Sequence, residues 1–210
     1  MAVTEYDNEP VRGLPGFLPA GEHIVWQGAP DWKLFWKTAL HAKWIAGYFV
    51  ALALLAFAQA GLLGALGTLA GGLLALGLLA AFAWGVEKTT VYTITNRRVV
   101  FRIGVALAKC INLPLAQIGG AEMRALGGGR AEIALRLTGS HRLGYAVFWP
   151  HARPWQFARV QPMLRALRDG EEVAQILARA CAGLSEIETA KAAENRQREH
   201  APAMTRELAA

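Results

Sequence analysis

The stretch Trp44–Val86, WIAGYFVALALLAFAQAGLLGALGTLAGGLLALGLLAAFAWGV, decides the fold. It holds 43 consecutive residues without one Asp, Glu, Lys, Arg or His. One helix that crosses the hydrocarbon of a bilayer needs about 20 apolar residues, so this stretch has room for two crossings. Glycines cluster between Gly61 and Thr68, and a turn there predicts a hairpin of membrane helices over about residues 44–60 and 69–86.

Basic residues flank this hairpin on both sides, whereas the turn between its helices carries no charge. They are Lys33, Lys37 and Lys43 before the first helix and Lys88, Arg97 and Arg98 after the second. The positive-inside rule then places both termini on the cytoplasmic side of the membrane. Small residues recur four apart, in Gly47/Ala51 and Gly67/Gly71, which permits close packing either within the hairpin or against a foreign helix.

Composition and charge exclude several function classes. The net charge of +6 comes with basic residues close to the apolar stretch, where anionic lipid headgroups attract them, so lipid is expected as a partner and nucleic acid is not. The two cysteines, Cys110 and Cys181, form no CxxC pair, and the five histidines contain no pair four residues apart. We therefore expect no disulfide framework, metal or cofactor. No Ser or Cys stands in a nucleophile motif, so we expect no enzyme.

Alternating apolar residues after the hairpin predict short strands. The predicted strands are Val91–Thr95, Val99–Ile103, one around Cys110–Leu113, one that begins near Ile118, Glu132–Leu137 and Arg142–Phe148. Their hairpin order predicts one strongly bent antiparallel sheet on the cytoplasmic side. Gly127-Gly128-Gly129-Arg130 lacks the spacing of a phosphate-binding loop and is interpreted as a hairpin turn.

Two helices are predicted after the strands. A short one starts at Pro162, and a longer one runs from Asp169 to about Ala182, is stopped by Gly183 and covers the sheet with its apolar stripe. The fold class is therefore an α+β membrane protein. Its predicted parts are a cytoplasmic segment (1–43), the transmembrane hairpin (44–86), the β-rich cytoplasmic domain (87–184) and an exposed helix or disordered tail (185–210).

Three sets of residues are candidates for function. In the N-terminal segment, Trp26, Gly28, Pro30 and Trp32 belong to a strand that breaks at Gly-Ala-Pro and leads into an amphipathic run. This pattern predicts a strand added to the sheet, followed by a helix on the membrane surface. Arginines along the strands predict a basic surface for lipid or a partner, or a solvated face: Arg97, Arg98 and Arg102, with Arg124, Arg136 and Arg142 farther on. His41, just before the first membrane helix, is either an interfacial residue or a ligand for the magnesium of a chlorin pigment.

Two groups of motifs carry a family resemblance. The phrase Tyr92-Thr93-Ile94-Thr95-Asn96-Arg97-Arg98, followed by Gly104, Leu113-Pro114-Leu115 and Ile118, resembles the core of the bacterial PH-like membrane proteins. The second group resembles the PuhB family of photosynthetic complex assembly proteins of purple bacteria. It consists of Gly13-Leu14-Pro15-Gly16, Leu18-Pro19, Gly21-Glu22, the run Trp-Gln-Gly-Ala-Pro-Asp-Trp at 26–32, Arg153-Pro154-Trp155 and Gln161-Pro162.

The resemblance covers roughly residues 10–184 and implies a PH-like sheet capped by the C-terminal helix. It also implies a noncatalytic role in assembling the photosynthetic reaction centre and its core light-harvesting antenna, by contact with membrane subunits in the intracytoplasmic photosynthetic membrane. The rival hypotheses are a general membrane PH protein that binds anionic lipid and a pigment carrier that uses His41. Association between copies of this chain stays open.

Overall fold

The computed structural model describes residues 10–139 and 143–200, with side chains of the last helix described up to Ser185. These residues form seven strands and four α-helices. In chain order they are β1 Ile24–Gly28, α1 Trp32–Thr38, α2 Ala42–Thr89, β2 Val91–Thr95, β3 Arg98–Ile103, β4 Lys109–Pro114, β5 Ile118–Gly127, β6 Arg130–Leu137, α3 Tyr145–Phe148, β7 Met163–Leu167 and α4 Gly170–His200.

The strands form two antiparallel sheets, in the orders β1-β2-β3-β4 and β5-β6-β7. The predicted α+β class with antiparallel strands is confirmed, but the prediction of one bent sheet is wrong. A 3-10 turn, Leu115–Gln117, separates β4 from β5, and these two strands are not neighbours in either sheet. Pro114, at the end of β4, lacks the N–H that a continuing ladder would need.

The first sheet pairs two strands, β1 and β2, that are far apart in sequence. β1 pairs with β2, from Ile24 opposite Thr95 to Gly28 opposite Tyr92, although α1 and α2 lie between the two strands in sequence. The N-terminal segment therefore supplies an edge strand of the sheet, as the sequence predicts. The chain therefore runs from β1 through α1 and α2 to β2, and β1 and β2 are neighbours in the same sheet.

The core lies between the two sheets and is closed by α4. Alternate residues of β2, β3 and β6 point into it, as the alternation predicts, and the stripe of α4 contributes Val173 and Leu177. Its fully buried large side chains are Tyr92, Ile94, Phe101, Ile103, Ile133, Leu135, Phe148, Leu164, Leu167 and Leu177. Burial of this much apolar surface is the main stabilising contribution to the domain.

Helix α2 is long and apolar enough to cross a membrane. Its most apolar window has a mean hydropathy of 2.2, and 6% of that window is buried within the protein. The helix is interrupted at Gly61, whose backbone angles, φ 65° and ψ −157°, favour glycine. Residues 62–68, which the sequence assigns to a turn, are helical, so the interruption is confined to Gly61. Phe49 lies against Gly72, where an added β-carbon would come within 2.8 Å of the phenylalanine Cβ.

The predicted strand over Arg142–Phe148 is wrong. Residues 140–142 lie outside the described residues, and Tyr145–Phe148 forms the short helix α3. Phe148 is fully buried and meets the ring of Phe101 edge to face, while Val147 is exposed. The helical turn, unlike an extended strand, places Phe148 in the core, and Pro150 soon afterwards could not donate to a ladder.

The predicted helix at Pro162 is also wrong, because Met163–Leu167 is strand β7. On β6, Ala131 and Ile133 are two residues apart, but their partners on β7, Leu167 and Leu164, are three apart. This β-bulge adds one residue to β7, so two leucines at helical spacing both face the core. Ala166 within the bulge has a positive φ of 53°.

Helix α4 begins after Asp169 as predicted but does not stop at Gly183. It continues to His200, so the predicted tail is helical for residues 185–200, and residues 201–210 lie outside the described residues. Gly183 has open space around its Cα and remains helical. A single glycine costs a helix about 1 kcal/mol relative to alanine, which is too little to end it.

Candidate functional site

Trp26 and Gly28 hold β1 on the domain. The indole of Trp26 folds over Gly28 so closely that a β-carbon on this glycine would overlap the ring. The indole N–H donates a hydrogen bond to the carboxylate of Asp169, at 3.1 Å. Glycine at position 28 is therefore required by the close approach of the ring, and the hydrogen bond ties β1 to the start of α4.

Pro30, Asp31 and Trp32 form the junction between β1 and α1. Pro30 is buried and Trp32 is half-buried. The Asp31 carboxylate accepts hydrogen bonds from the Leu34 N–H at 2.8 Å and from Arg168 Nε at 2.6 Å. Partial burial raises the pKa of Asp31, but these two hydrogen bonds outweigh it and leave the pKa below its ordinary value. The carboxylate therefore caps α1 and links it to the end of β7.

Helix α1 carries its apolar side against protein. The sequence predicts that this side lies on the membrane, but Leu34 and Phe35 are buried. With Ala83 and Val86 near the end of α2, and Ala166 of β7, they form the basal cluster. An amphipathic helix can bury its apolar side either in lipid or against protein. In this structure, α2 supplies the apolar surface against which α1 packs. The basal cluster attaches the long apolar helix α2 to the two-sheet domain.

The predicted basic surface is divided among ion pairs. Arg98 contacts Glu22 through Nε to Oε1 at 2.8 Å and Nη2 to Oε2 at 3.1 Å. Farther along the chain, Arg124 pairs with Glu132 and Arg136 lies near Glu122. Arg98 and Arg124 therefore have carboxylate partners within the protein, whereas Arg136 shares Glu122 with Arg153.

The remaining arginines of that prediction lie apart from these pairs. Arg97 is exposed in the β2–β3 turn, and Arg102 is half-buried on β3 opposite Val91. Arg142 lies outside the described residues. The arginines predicted as one surface therefore occupy different environments.

His41 lies in the link between α1 and α2. Its backbone is left-handed, with φ 54°, and its side chain is exposed. It borders two neighbouring cavities at the base of α2. In the part of the chain that the structure describes, no three His, Cys, Asp or Glu side chains are grouped so as to hold a metal ion.

The two cavities at the base of α2 share His41, Pro154 and Arg165, and we call them together the Arg165 groove. The first, of about 360 Å³, is also lined by polar side chains: Thr38, Glu122, Arg124, Glu132 and Arg153. The second, of about 230 Å³, is lined mainly by aromatic and apolar residues, among them Tyr145, Trp149, Trp155 and Phe157. The groove thus joins a charged half to an aromatic half.

A buried polar cluster lies behind the groove. The Tyr92 hydroxyl is 2.6 Å from His151 Nδ1, and it also accepts a hydrogen bond from the Arg165 backbone N–H at 3.3 Å. Burial, with the positive charge of Arg165, lowers the pKa of His151 to about 3, so its imidazole is neutral near pH 7. Burial also raises the pKa of Tyr92. Both rings therefore act as neutral hydrogen-bonding groups in the core.

Sequence reasoning missed Arg165, the residue that joins the two halves of the groove. It lies in the run Met-Leu-Arg-Ala-Leu at 163–167, which the sequence predicts as helix. One charge inside a short apolar run is a sign of a buried cation, since an isolated charge among core residues needs a special environment. Burial lowers the pKa of Arg165 and the charge of Glu132 opposes this shift.

Comparison with known proteins places this architecture in a wider group. A model described as the bacterial PH domain matches residues 44–180. A protein of Rhodobacter capsulatus, described as an uncharacterized 23.7 kDa protein in the puhA 5′ region, is 36% identical over 190 residues, which are 86% of this chain and 89% of the relative. No solved structure matches the chain. The family match includes the apolar helix, the strands from β2 to β7 and the first turns of α4.

Proposed function

The chain belongs to the bacterial PH domain family, and from this premise we propose that it is a noncatalytic assembly factor for the photosynthetic reaction centre and its core light-harvesting antenna. It acts in the intracytoplasmic photosynthetic membrane with both termini in the cytoplasm. Its partners are membrane subunits of these complexes, which it holds by protein contacts. The sequence resemblance and the position of the Rhodobacter capsulatus relative beside puhA support this role.

The proposal includes a transmembrane hairpin formed by the two halves of α2. In one straight helix, Phe49 and Gly72 would be about 35 Å apart, so their contact supports a reversal of the chain at Gly61. A reversal also explains how α2 leaves β1 and returns to β2 in the same sheet. The basic residues at both ends of α2 support a cytoplasmic location for both termini.

The observation that carries the proposal is the basal cluster. Phe35, Val86 and Ala166 come from α1, α2 and β7, and all three are buried together. A domain fastened in this way is held at one height and orientation beside the bilayer. An assembly factor needs such a platform, because it must present a surface to membrane subunits at a constant position.

The glycines of α2 support a partner-binding face. Gly72 is filled by Phe49, whereas Gly67 and Gly71 meet nothing within 4 Å in the described part of the chain. The two open glycines are four residues apart and therefore lie on the same side of a helix. This side is available to a foreign helix, while Gly72 serves packing within α2.

The test is affinity purification of the full chain from membranes of phototrophically grown purple bacteria, followed by identification of the bound polypeptides. Reaction-centre or core-antenna polypeptides are expected. Recovery of lipid without any photosynthetic subunit would contradict the assembly role. A dimer of the chain, seen alone, would favour self-association as the use of the open face.

A pair of neighbouring glycines sharpens this test. Gly71→Leu blocks the open side and should lower recovery of the partner by about tenfold, equivalent to ~1.4 kcal/mol. Its folding should stay near wild type. Gly72→Leu must displace Phe49 and should instead lower thermal stability in detergent. Equal partner recovery with wild type and Gly71→Leu would show that this side is not the contact.

The rival role is binding of anionic lipid through Arg97, Arg98 and Arg102. The contact between Arg98 and Glu22 weakens this version, because Arg98 is already paired with a carboxylate. Arg97→Glu with Arg102→Glu tests the rival directly. Loss of lipid together with retention of photosynthetic polypeptides would separate the two roles.

A further inference from the structure

The Arg165 groove contains a buried cation that forms no ion pair with a carboxylate in the part of the chain that the structure describes. Arg165 is 5% exposed, and its Nε–H has the sulfur of Met163 as acceptor, at 3.4 Å. Among the described residues, no carboxylate oxygen lies within 4 Å of its guanidinium. A thioether is a weak acceptor and an unpaired buried charge is costly. The position therefore favours an anion from outside the chain.

The two glutamates of the groove do not supply that anion, because other groups hold them. Glu132 is fully buried and accepts hydrogen bonds from Arg124 Nη2 and from the Thr38 hydroxyl. Glu122 pairs with Arg153. Three arginines thus line this half of the groove with two glutamates. The charge of Glu132 acts on Arg165 but forms no ion pair with it, so Arg165 lacks a carboxylate in direct contact among the described residues.

The aromatic half of the groove lies at the base of the apolar helix. Trp149 stacks on Phe82 of α2, with ring centres 5.7 Å apart, and His41 immediately precedes the helix. Trp155 is 84% exposed and Phe157 is 60% exposed. Exposed aromatic rings beside a membrane helix are typical of the headgroup region of a bilayer.

We propose that the Arg165 groove binds the phosphate of an acidic membrane phospholipid. The phosphate lies beside the Arg165 guanidinium, whose planar fork suits phosphate oxygens. The glycerol and the first carbons of the acyl chains lie against Trp149, Trp155 and Phe157. This inference rests on the membrane location in the proposed function but not on any assembly partner, and it places lipid at a site separate from Arg97, Arg98 and Arg102.

The experiment is a lipid titration of the purified full chain in detergent, followed by native mass spectrometry. The probes are phosphatidylglycerol, phosphatidylcholine with the same acyl chains, and glycerol 3-phosphate. Phosphatidylglycerol should bind at least about tenfold more tightly than either of the others. The choline cation of phosphatidylcholine opposes attraction to Arg165, and glycerol 3-phosphate lacks the acyl chains that contact the aromatic half. Tight binding of glycerol 3-phosphate would show that the groove binds phosphate but would contradict a membrane lipid as its ligand.

The main variant is Arg165→Met, which keeps the side-chain volume and removes the charge. We expect phosphatidylglycerol affinity to fall by about tenfold or more, while thermal stability without lipid is unchanged or higher, because a buried unpaired charge has been removed. Arg179→Met on the exposed surface of α4 removes the same charge outside the groove and should leave lipid affinity unchanged. A purely structural role for Arg165 predicts the opposite result, lower stability with unchanged lipid preference.

Trp155→Ala provides a second test that does not depend on a core substitution. Its indole is largely exposed, so folding should be retained while affinity for phosphatidylglycerol falls. Equal affinity of phosphatidylglycerol and phosphatidylcholine for the wild-type chain, or equal losses in Arg165→Met and Arg179→Met, would overturn the proposal. The lipid titration uses the purified chain without photosynthetic polypeptides. A negative result would therefore contradict lipid binding in the groove without testing the assembly role.

Discussion

Two arginines on opposite sheets of the sandwich differ in how the protein treats their charge. Arg98 on β3 is partly exposed and makes two hydrogen bonds to Glu22, whose side chain is 2% exposed. Arg165 on β7 is more deeply buried and has a sulfur atom as its acceptor. The first cation neutralises a carboxylate of the fold, whereas the second is available to a ligand. Burial of a charge alone therefore does not distinguish structural from binding residues.

The same contrast separates the N-terminal motif from the groove. Glu22, Trp26 and Asp31 each bond to a residue on another part of the domain, namely Arg98, Asp169 and Arg168. These bonds tie β1 and the residues on either side of it to β3, to the start of α4 and to the end of β7. The motif that carries the family resemblance therefore fastens β1 and the start of α1 to the rest of the domain, whereas the groove remains open for recognition.

The largest expected effect comes from breaking the ion pair between Arg98 and Glu22. Arg98→Met leaves the Glu22 carboxylate buried without its cation, so the free energy of unfolding should fall by about 3 kcal/mol, the lower end of the range for such pairs because Arg98 is partly exposed. Thermal or denaturant unfolding of the full chain in detergent measures this change.

Arg130→Met is the matched control for Arg98→Met. Arg130 is exposed and donates to the backbone oxygen of Gly127 at the tip of the β5–β6 hairpin. Its loss should change stability by less than about 0.5 kcal/mol. Similar stabilities of the two variants would show that the Glu22 pair adds little to the fold.

A smaller effect tests the neutral cluster behind the groove. The pKa of His151 is lowered to about 3 in the folded chain from an ordinary 6.5, so the unfolded chain binds more protons between these values. Stability should therefore be complete above pH 6.5 and decrease as the pH falls toward 3. At pH 5 the loss attributable to this group is about 2 kcal/mol.

His151→Gln removes the titration while its amide can still bond to the Tyr92 hydroxyl. The measurement is the unfolding free energy of both chains between pH 7 and pH 5, with the difference between them assigned to His151. We expect the variant to lose much less stability on acidification. Parallel pH profiles would mean that the histidine is protonated in the folded chain.

Sequence patterns predicted the strands whose side chains alternate strictly. Val99, Phe101 and Ile103 of β3 point into the core as their spacing requires. The pattern failed at β7, because the bulge gives Leu164 and Leu167 the three-residue spacing of a helix. Such a bulge depends on pairing with β6 and is invisible in a local pattern.

The candidate site was harder to predict than the fold. The motif at Trp26 and Trp32 and the link at His41 were identified from sequence, but Arg165 was not. The groove brings together residues from α1, β5, β6 and β7, and their proximity is a property of tertiary structure. The ion pairs of Arg98 and Arg124 were not predictable for the same reason, since Glu22 and Glu132 become their neighbours only after strand pairing.

The smallest expected effect concerns Gly28, which belongs to the N-terminal motif that holds β1 on the domain. Gly28→Ala should push the Trp26 indole away and weaken its hydrogen bond to Asp169. Because Trp26 is half-buried and can move, we expect a loss of about 1 kcal/mol in unfolding free energy, the lower end for overpacking. Gly16→Ala, which has open space around it, is the control and should be neutral. If both variants unfold like wild type, the indole does not clamp β1, and lipid or partner contact would better explain this motif.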